Sequence, residues 1–207
     1  SRTAALSEDG RIGAIVFTQG SSTGASSTLN NAATGVIGSS NTVGTIVAGY
    51  NNSATYKLRI NNSGQIYQST GSNSVSKPGA VYLGDRSYNI SINNEATGTI
   101  IGGDGSSGFH SAISSSGQID TLDNAGLIKS IGPSSAAIYA EYGSIGVVTN
   151  SGTILANGSV SPVAMNLKYT TVQAVHNLQQ GVIESSGSSG ADAITLAGTK
   201  LSALENL

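Results

Sequence analysis

Asn62-Ser63-Gly64-Gln65-Ile66, Asn124-Ala125-Gly126-Leu127-Ile128 and Asn150-Ser151-Gly152-Thr153-Ile154 are three copies of one pattern, an Asn followed by Gly-x-Ile. The Gly-x-Ile triplet recurs as Gly10-Arg11-Ile12, Gly35-Val36-Ile37, Gly98-Thr99-Ile100 and Gly181-Val182-Ile183, at a spacing of roughly thirty residues. Asn31, Asn94 and Asn177 precede their glycines at a longer distance, as Asn-x-x-x-Gly, and Glu8 takes the place of Asn in the first copy. Asn206 opens a further copy that Leu207 cuts short.

Outward from this centre, two more ladders appear. Two residues before each Asn stands an apolar side chain: Leu29, Ile60, Ile92, Leu122, Val148, Val175 and Leu204. After each Gly-x-Ile, a Gly- and Ser-rich stretch leads into a short alternating run such as Ala80-Val81-Tyr82-Leu83, Ala137-Ile138-Tyr139-Ala140 or Ala193-Ile194-Thr195-Leu196. Alternation at period two marks strands with one buried face. Three short strands per repeat, separated by turns, describe one coil of a parallel β-helix. The expected fold is therefore all-β, a solenoid of about seven coils forming a single domain over residues 1–207.

Stacking explains the residue types. One coil cannot bury its own apolar side chains, but coils about 4.8 Å apart place Ile12, Ile37, Ile66, Ile100, Ile128, Ile154 and Ile183 in one column. The asparagines Asn31, Asn62, Asn94, Asn124, Asn150 and Asn177 should form a second column, each amide bonding to the next. The expectation is that Asn also supplies a left-handed backbone at the corner, with the glycine serving the same sharp turn. Before Asn62 and Asn94 the apolar residues alternate, as Leu58/Ile60 and Ile90/Ile92. In later copies they lie three apart, as Ile119/Leu122, Ile145/Val148, Val172/Val175 and Leu201/Leu204. That spacing cannot keep both side chains on one face of a regular strand, so a bulge and a change of cross-section are expected near residue 110.

Composition narrows the functional classes. Charged residues are only 10% of the chain, the 28 glycines are about twice the usual share, and the net charge is −2. Nine Lys and Arg spread along the whole length give no cluster for nucleic-acid phosphates. Without cysteine there is no disulfide framework and no Cys-ligated metal. No apolar run reaches the length of a membrane-spanning helix.

Insertions on solenoids map to one side of the stack and often carry sites. Two stand out, Tyr67 to Gly79 and Ile101 to Ser111, both after the Gly-x-Ile strand of neighbouring coils. They should lie side by side, with Tyr67, Lys77, Asp104, Phe109 and His110 as candidate contact residues, or be inert solvated loops. If the loops do not bind, Val36, Leu127 and Val182, beside the Ile column, are the next apolar contact points. His110 and His176 are expected to have surface, structural roles. They sit about two coils apart, which argues against a shared metal, and a triad would need a carboxylate fixed beside one of them. Gly102-Gly103-Asp104-Gly105 occurs once and lacks the tandem copies of a calcium-binding repeat. Asp85, Asp104, Asp120 and Glu184 do not fall in equivalent places of adjacent coils, which speaks against paired carboxylates. Neither a catalytic residue nor a cofactor is expected.

With its Asn-Ser-Gly-Thr-Ile (150–154), Asn-Ser-Gly-Gln-Ile (62–66) and Asn-Ala-Gly-Leu-Ile (124–128) units, each followed by a Gly/Ser-rich loop and an Ala-Ile or Ala-Val strand, the chain resembles the passenger repeats of bacterial autotransporters over nearly its whole length. The resemblance implies a right-handed β-helix carried outside a Gram-negative cell by a membrane β-barrel that is not part of this chain. It further implies a non-enzymatic stalk, or an adhesive or aggregation surface, at the bacterial cell surface. Partners would be a host or bacterial surface protein or glycan, or another copy stacked end to end or laterally. The alternative is a carbohydrate-active β-helix of the polysaccharide lyase or phage tailspike type. Because Leu204-Glu205-Asn206-Leu207 stops within a repeat, the chain is expected to be a segment of a longer solenoid.

Overall fold

The computed structural model describes residues 11–13, 15–18, 26–39, 44–50, 57–68, 79–85, 87–103, 110–187 and 189–207. Over these residues the chain is an all-β parallel solenoid of three sheets, with seven strands in each and no helix. One coil shows the plan. Leu127–Ile131 runs in the first sheet, Ala136–Glu141 in the second, and Ser144–Asn150 in the third. Each strand pairs in parallel with its counterpart one coil earlier and one coil later.

The first sheet begins at the Gly-x-Ile triplets. Ile12, Ile37, Ile66, Ile100, Ile128, Ile154 and Ile183 are aligned residue to residue. Ile37, Ile66, Ile100, Ile128 and Ile154 are buried, and Ile183 is partly buried against the same core. The second sheet contributes Ile46, Val81, Ile113, Ile138, Met165 and Ile194 at one register position. The third contributes Leu29, Ile60, Ile92, Leu122, Val148, Val175 and Leu204 at another. From Ile37 to Ile183, Ile46 to Ile194 and Leu29 to Val175 these columns meet inside the coil as one continuous core, whereas Leu204 is exposed. Full burial of each isoleucine stabilises by about 1.5–3 kcal/mol, which only stacking supplies, since a lone coil leaves its axis open to water.

The Asn column runs along the corner between the third sheet and the next coil's first sheet. Asn31 Nδ2 donates to Asn62 Oδ1 at 2.8 Å, and the chain continues Asn62 to Asn94 (2.8 Å), Asn94 to Asn124 (2.8 Å), Asn124 to Asn150 (2.7 Å), Asn150 to Asn177 (2.8 Å) and Asn177 to Asn206 (2.7 Å). The same amides also donate to backbone carbonyls, as Asn124 does to Thr153 O at 3.2 Å and Asn31 to Gln65 O at 3.1 Å. The buried amide is thereby satisfied on both sides, as buried polar groups must be.

The backbone reason expected for these corners is corrected by the structure. None of the ladder asparagines has positive φ, and neither does any of the glycines that follow them. Asn is there for its side chain. Glycine is there because a Cβ on Gly126 would run into the carbonyl oxygens of Gly98 and Glu95, and one on Gly152 into that of Gly126. Short and long corners share one bond, from the residue after Asn to the carbonyl of the Asn one coil earlier, as in Ser63 N–H to Asn31 O and Glu95 N–H to Asn62 O, both 2.8 Å. The long corners absorb their two extra residues in a β-turn, with Gly35, Gly98 and Gly181 each donating back at 2.7 Å to Ala32, Glu95 and Leu178.

The expected bulge lies in the third sheet. Ile90 pairs with Ile119 but Ser91 with Thr121, so Asp120 is an extra residue. From there on the coils agree again, and Ile119 aligns with Ile145, Val172 and Leu201. Ile119 and Leu122 both stay buried, three residues apart, because the bulge restores the inward direction.

Candidate functional site

The outer face of the third sheet is lined by polar side chains. Alternation turns Leu58, Ile60, Ile90 and Ile92 inward, which leaves Lys57, Arg59 and Asn61 outward in one coil and Ser91 and Asn93 in the next. Register then builds two rows. Thr28, Arg59, Ser91 and Thr121 form one, and Asn30, Asn61, Asn93, Asp123, Thr149, His176 and Glu205 the other. Asn61 Nδ2 donates to Asn30 Oδ1 at 2.7 Å, so this row begins as a second, exposed amide ladder. It ends in a hydrogen-bonded pair, with His176 Nδ1 at 2.8 Å from Glu205 Oε2.

Shallow, open depressions lie between the rows. One is flanked by Lys57, Arg59, Ser91 and Asp120, and a second by Arg59, Asn61, Asn93 and Asp123. Arg59 thus faces two carboxylates from two coils away, about 10 Å along the stack. A third depression follows the bulge, between Gln118, Asp120, Gly146, Thr171 and Gln173, where Gln118 Nε2 donates to Asp120 Oδ1 at 2.9 Å. These surfaces offer a cation, carboxylates, amides and hydroxyls in a flat array. They suit contact with another polar surface better than enclosure of a small substrate.

The residues expected from sequence fall elsewhere. Both insertions leave neighbouring strands of the first sheet and return to neighbouring strands of the second, at Gly79 and Ser111, so their ends do lie side by side. Lys77, Asp104 and Phe109 lie outside the described residues. Tyr67 is half-buried with its ring lying over Gly38, and its carbonyl accepts from Thr45 Oγ1 at 2.7 Å. His110, expected at the surface, is only 2% exposed and packs beside Gly103, whose φ is 76°. On the outer side of the second sheet Val47, Ser114 and Tyr139 are buried, Tyr82, Asn166 and Thr195 in the same row are half-buried, and Val16 is exposed. Along the first sheet, Val36, Leu127 and Val182 share a row, but Gln65, Thr99 and Thr153 interrupt it. No continuous apolar strip results there.

Sequence reasoning missed the grouping of Arg59 with Asp120 and Asp123. The signal was present in the register of the Asn ladder, which fixes which outward residues become neighbours. Of the other acids, Asp85 stands at the corner between the second and third sheets, and Glu184 on the first sheet. Among the described residues, no three His, Asp or Glu side chains are grouped so as to hold a metal ion. Comparison with family models, curated proteins and solved structures gives no match for this chain.

Proposed function

We propose that this chain is a non-enzymatic β-solenoid of the bacterial cell surface, a rigid spacer that adheres through its long polar face. The observation that carries the reading is the outer face of the third sheet, which repeats one or two polar side chains per coil over seven coils. Weak contacts at a fixed spacing add up when the partner is also a repetitive surface, because each contact after the first is intramolecular. A stiff stack holds that spacing without an entropic cost on binding. The cell-surface location rests on the resemblance of the repeats to autotransporter passengers.

The test is adhesion. Beads coated with the chain are expected to adhere to bacterial or epithelial cells, and the combined Arg59→Ala, Asp120→Ala and Asp123→Ala variant to adhere less while keeping its β circular dichroism. Release of reducing ends from a polysaccharide panel would overturn the reading in favour of a carbohydrate-active enzyme.

A further inference from the structure

At the corner between the second and third sheets, two tyrosines break a rule of backbone economy. Tyr142 and Tyr169 sit at equivalent places in consecutive coils with φ of 62° and 49°, in the left-handed region that bulky side chains rarely occupy. The next coil has Gly198 at this position with φ 61°, the residue that adopts such a turn without strain. Both tyrosines are nevertheless exposed, 71% and 59%. Their rings stack face to face, 5.3 Å between centroids and 7° from parallel, and the Tyr169 ring lies over Gly198. The left-handed turn is itself a corner property, repeated by Ser134 (φ 54°), Ser161 (39°) and Gly190 (60°) between the first and second sheets; what sets the tyrosines apart is a bulky side chain in that conformation that buries little.

The stack is open at one end. Ser115 pairs with Ala140 and Gln118 with Ser144, so the preceding coil turns the corner with Ser116 and Gly117 where this one uses Glu141, Tyr142 and Gly143. That coil has no counterpart to Tyr142. In its place is a depression of about 300 Å³ bounded by Tyr142, Tyr88, Asp85, Ser116 and Gln118. It adjoins the depression along the bulge through Gln118 and Ser144, which extends past Asp120 to Gln173.

We propose that this corner is a carbohydrate-binding subsite, in which a neutral pyranose ring continues the tyrosine stack beyond Tyr142 and the glycan extends along the bulge. An aromatic face receives the C–H face of a sugar ring, while carboxylate and amide groups such as Asp85, Asp120, Gln118 and Gln173 pair with its hydroxyls. The acids at the rim disfavour an anionic sugar. This inference deepens the adhesive reading given above and rests on it.

The experiment uses the whole chain with soluble cello-, manno- and galacto-oligosaccharides, followed by titration calorimetry and thermal melts. At least one oligosaccharide should bind. The Tyr142→Gly/Tyr169→Gly variant should lose roughly tenfold or more in affinity, with a melting temperature unchanged or raised because the strain is relieved. Tyr142→Phe/Tyr169→Phe should retain binding. Failure of every neutral oligosaccharide to bind, or equal binding by the double glycine variant, would overturn the subsite. A lowered melting temperature with unaltered binding would identify the stack as a structural or chain-to-chain contact and would also overturn it. Persistent bead adhesion alongside any of these failures would leave the adhesive reading standing and remove only the subsite.

Discussion

Asn124 accepts from Asn94 and donates to Asn150 and to the Thr153 carbonyl, so one side chain ties three coils. Replacing it by Ala leaves the Asn150 Oδ1 buried without that donor, and the chain should lose about 1–3 kcal/mol in urea unfolding. Asn124→Asp is expected to be no better, because a carboxylate can accept from Asn94 but offers no hydrogen to Asn150. Ile128 stands in the middle of the apolar column with no exposure. An Asp there would place an unpaired charge in the core at a cost of several kcal/mol, and Ile128→Asp should lack the β circular dichroism signal altogether. A folded Ile128→Asp would contradict the column.

At the scale of the element, the corner decides how closely two coils approach. Gly126 has room for a hydrogen but not for a methyl group, since backbone oxygens of the previous coil stand in the way and cannot rotate aside. Gly126→Ala is therefore expected to cost about 2 kcal/mol or more. Gly13→Ala serves as the control, because a Cβ there meets nothing within 4 Å, and its melting temperature should be unchanged. The bulge is the other local device. Once Asp120 is inserted, Gly146 follows over the Asp120 carbonyl, so every later coil must carry the same extra residue to stay in register.

For the whole molecule, a solenoid's stability is nearly a sum of coil and nearest-neighbour terms. Deleting residues 127–152 joins Gly126 to Thr153, and Thr153 pairs with Leu127 in the intact chain, so all three sheets should close in register. This shortened chain is expected to fold with an unaltered β spectrum and a modestly lower melting temperature. Loss of cooperative unfolding on that deletion would show that the coils do not act as interchangeable units.

The Ile and Asn columns, the three strands per coil and the position of the bulge were all legible in the sequence, because each depends on a repeat or on the period-two alternation of a strand. The sequence also pointed to where the two insertions open. What only the tertiary structure decided were contacts between coils that differ from one another. Arg59 lines the same depressions as Asp120 and Asp123 because the register carries them to one face, and Tyr142 stacks on Tyr169 beside an empty place because Ser116-Gly117 rounds the corner with one residue fewer. The role of the corner glycines was likewise misread, as turn conformation instead of close approach. A repeat announces what every coil has in common, since identical positions must satisfy identical neighbours. A site arises where neighbouring coils depart from the repeat, and which departures face each other depends on register and turn length, summed over the stack.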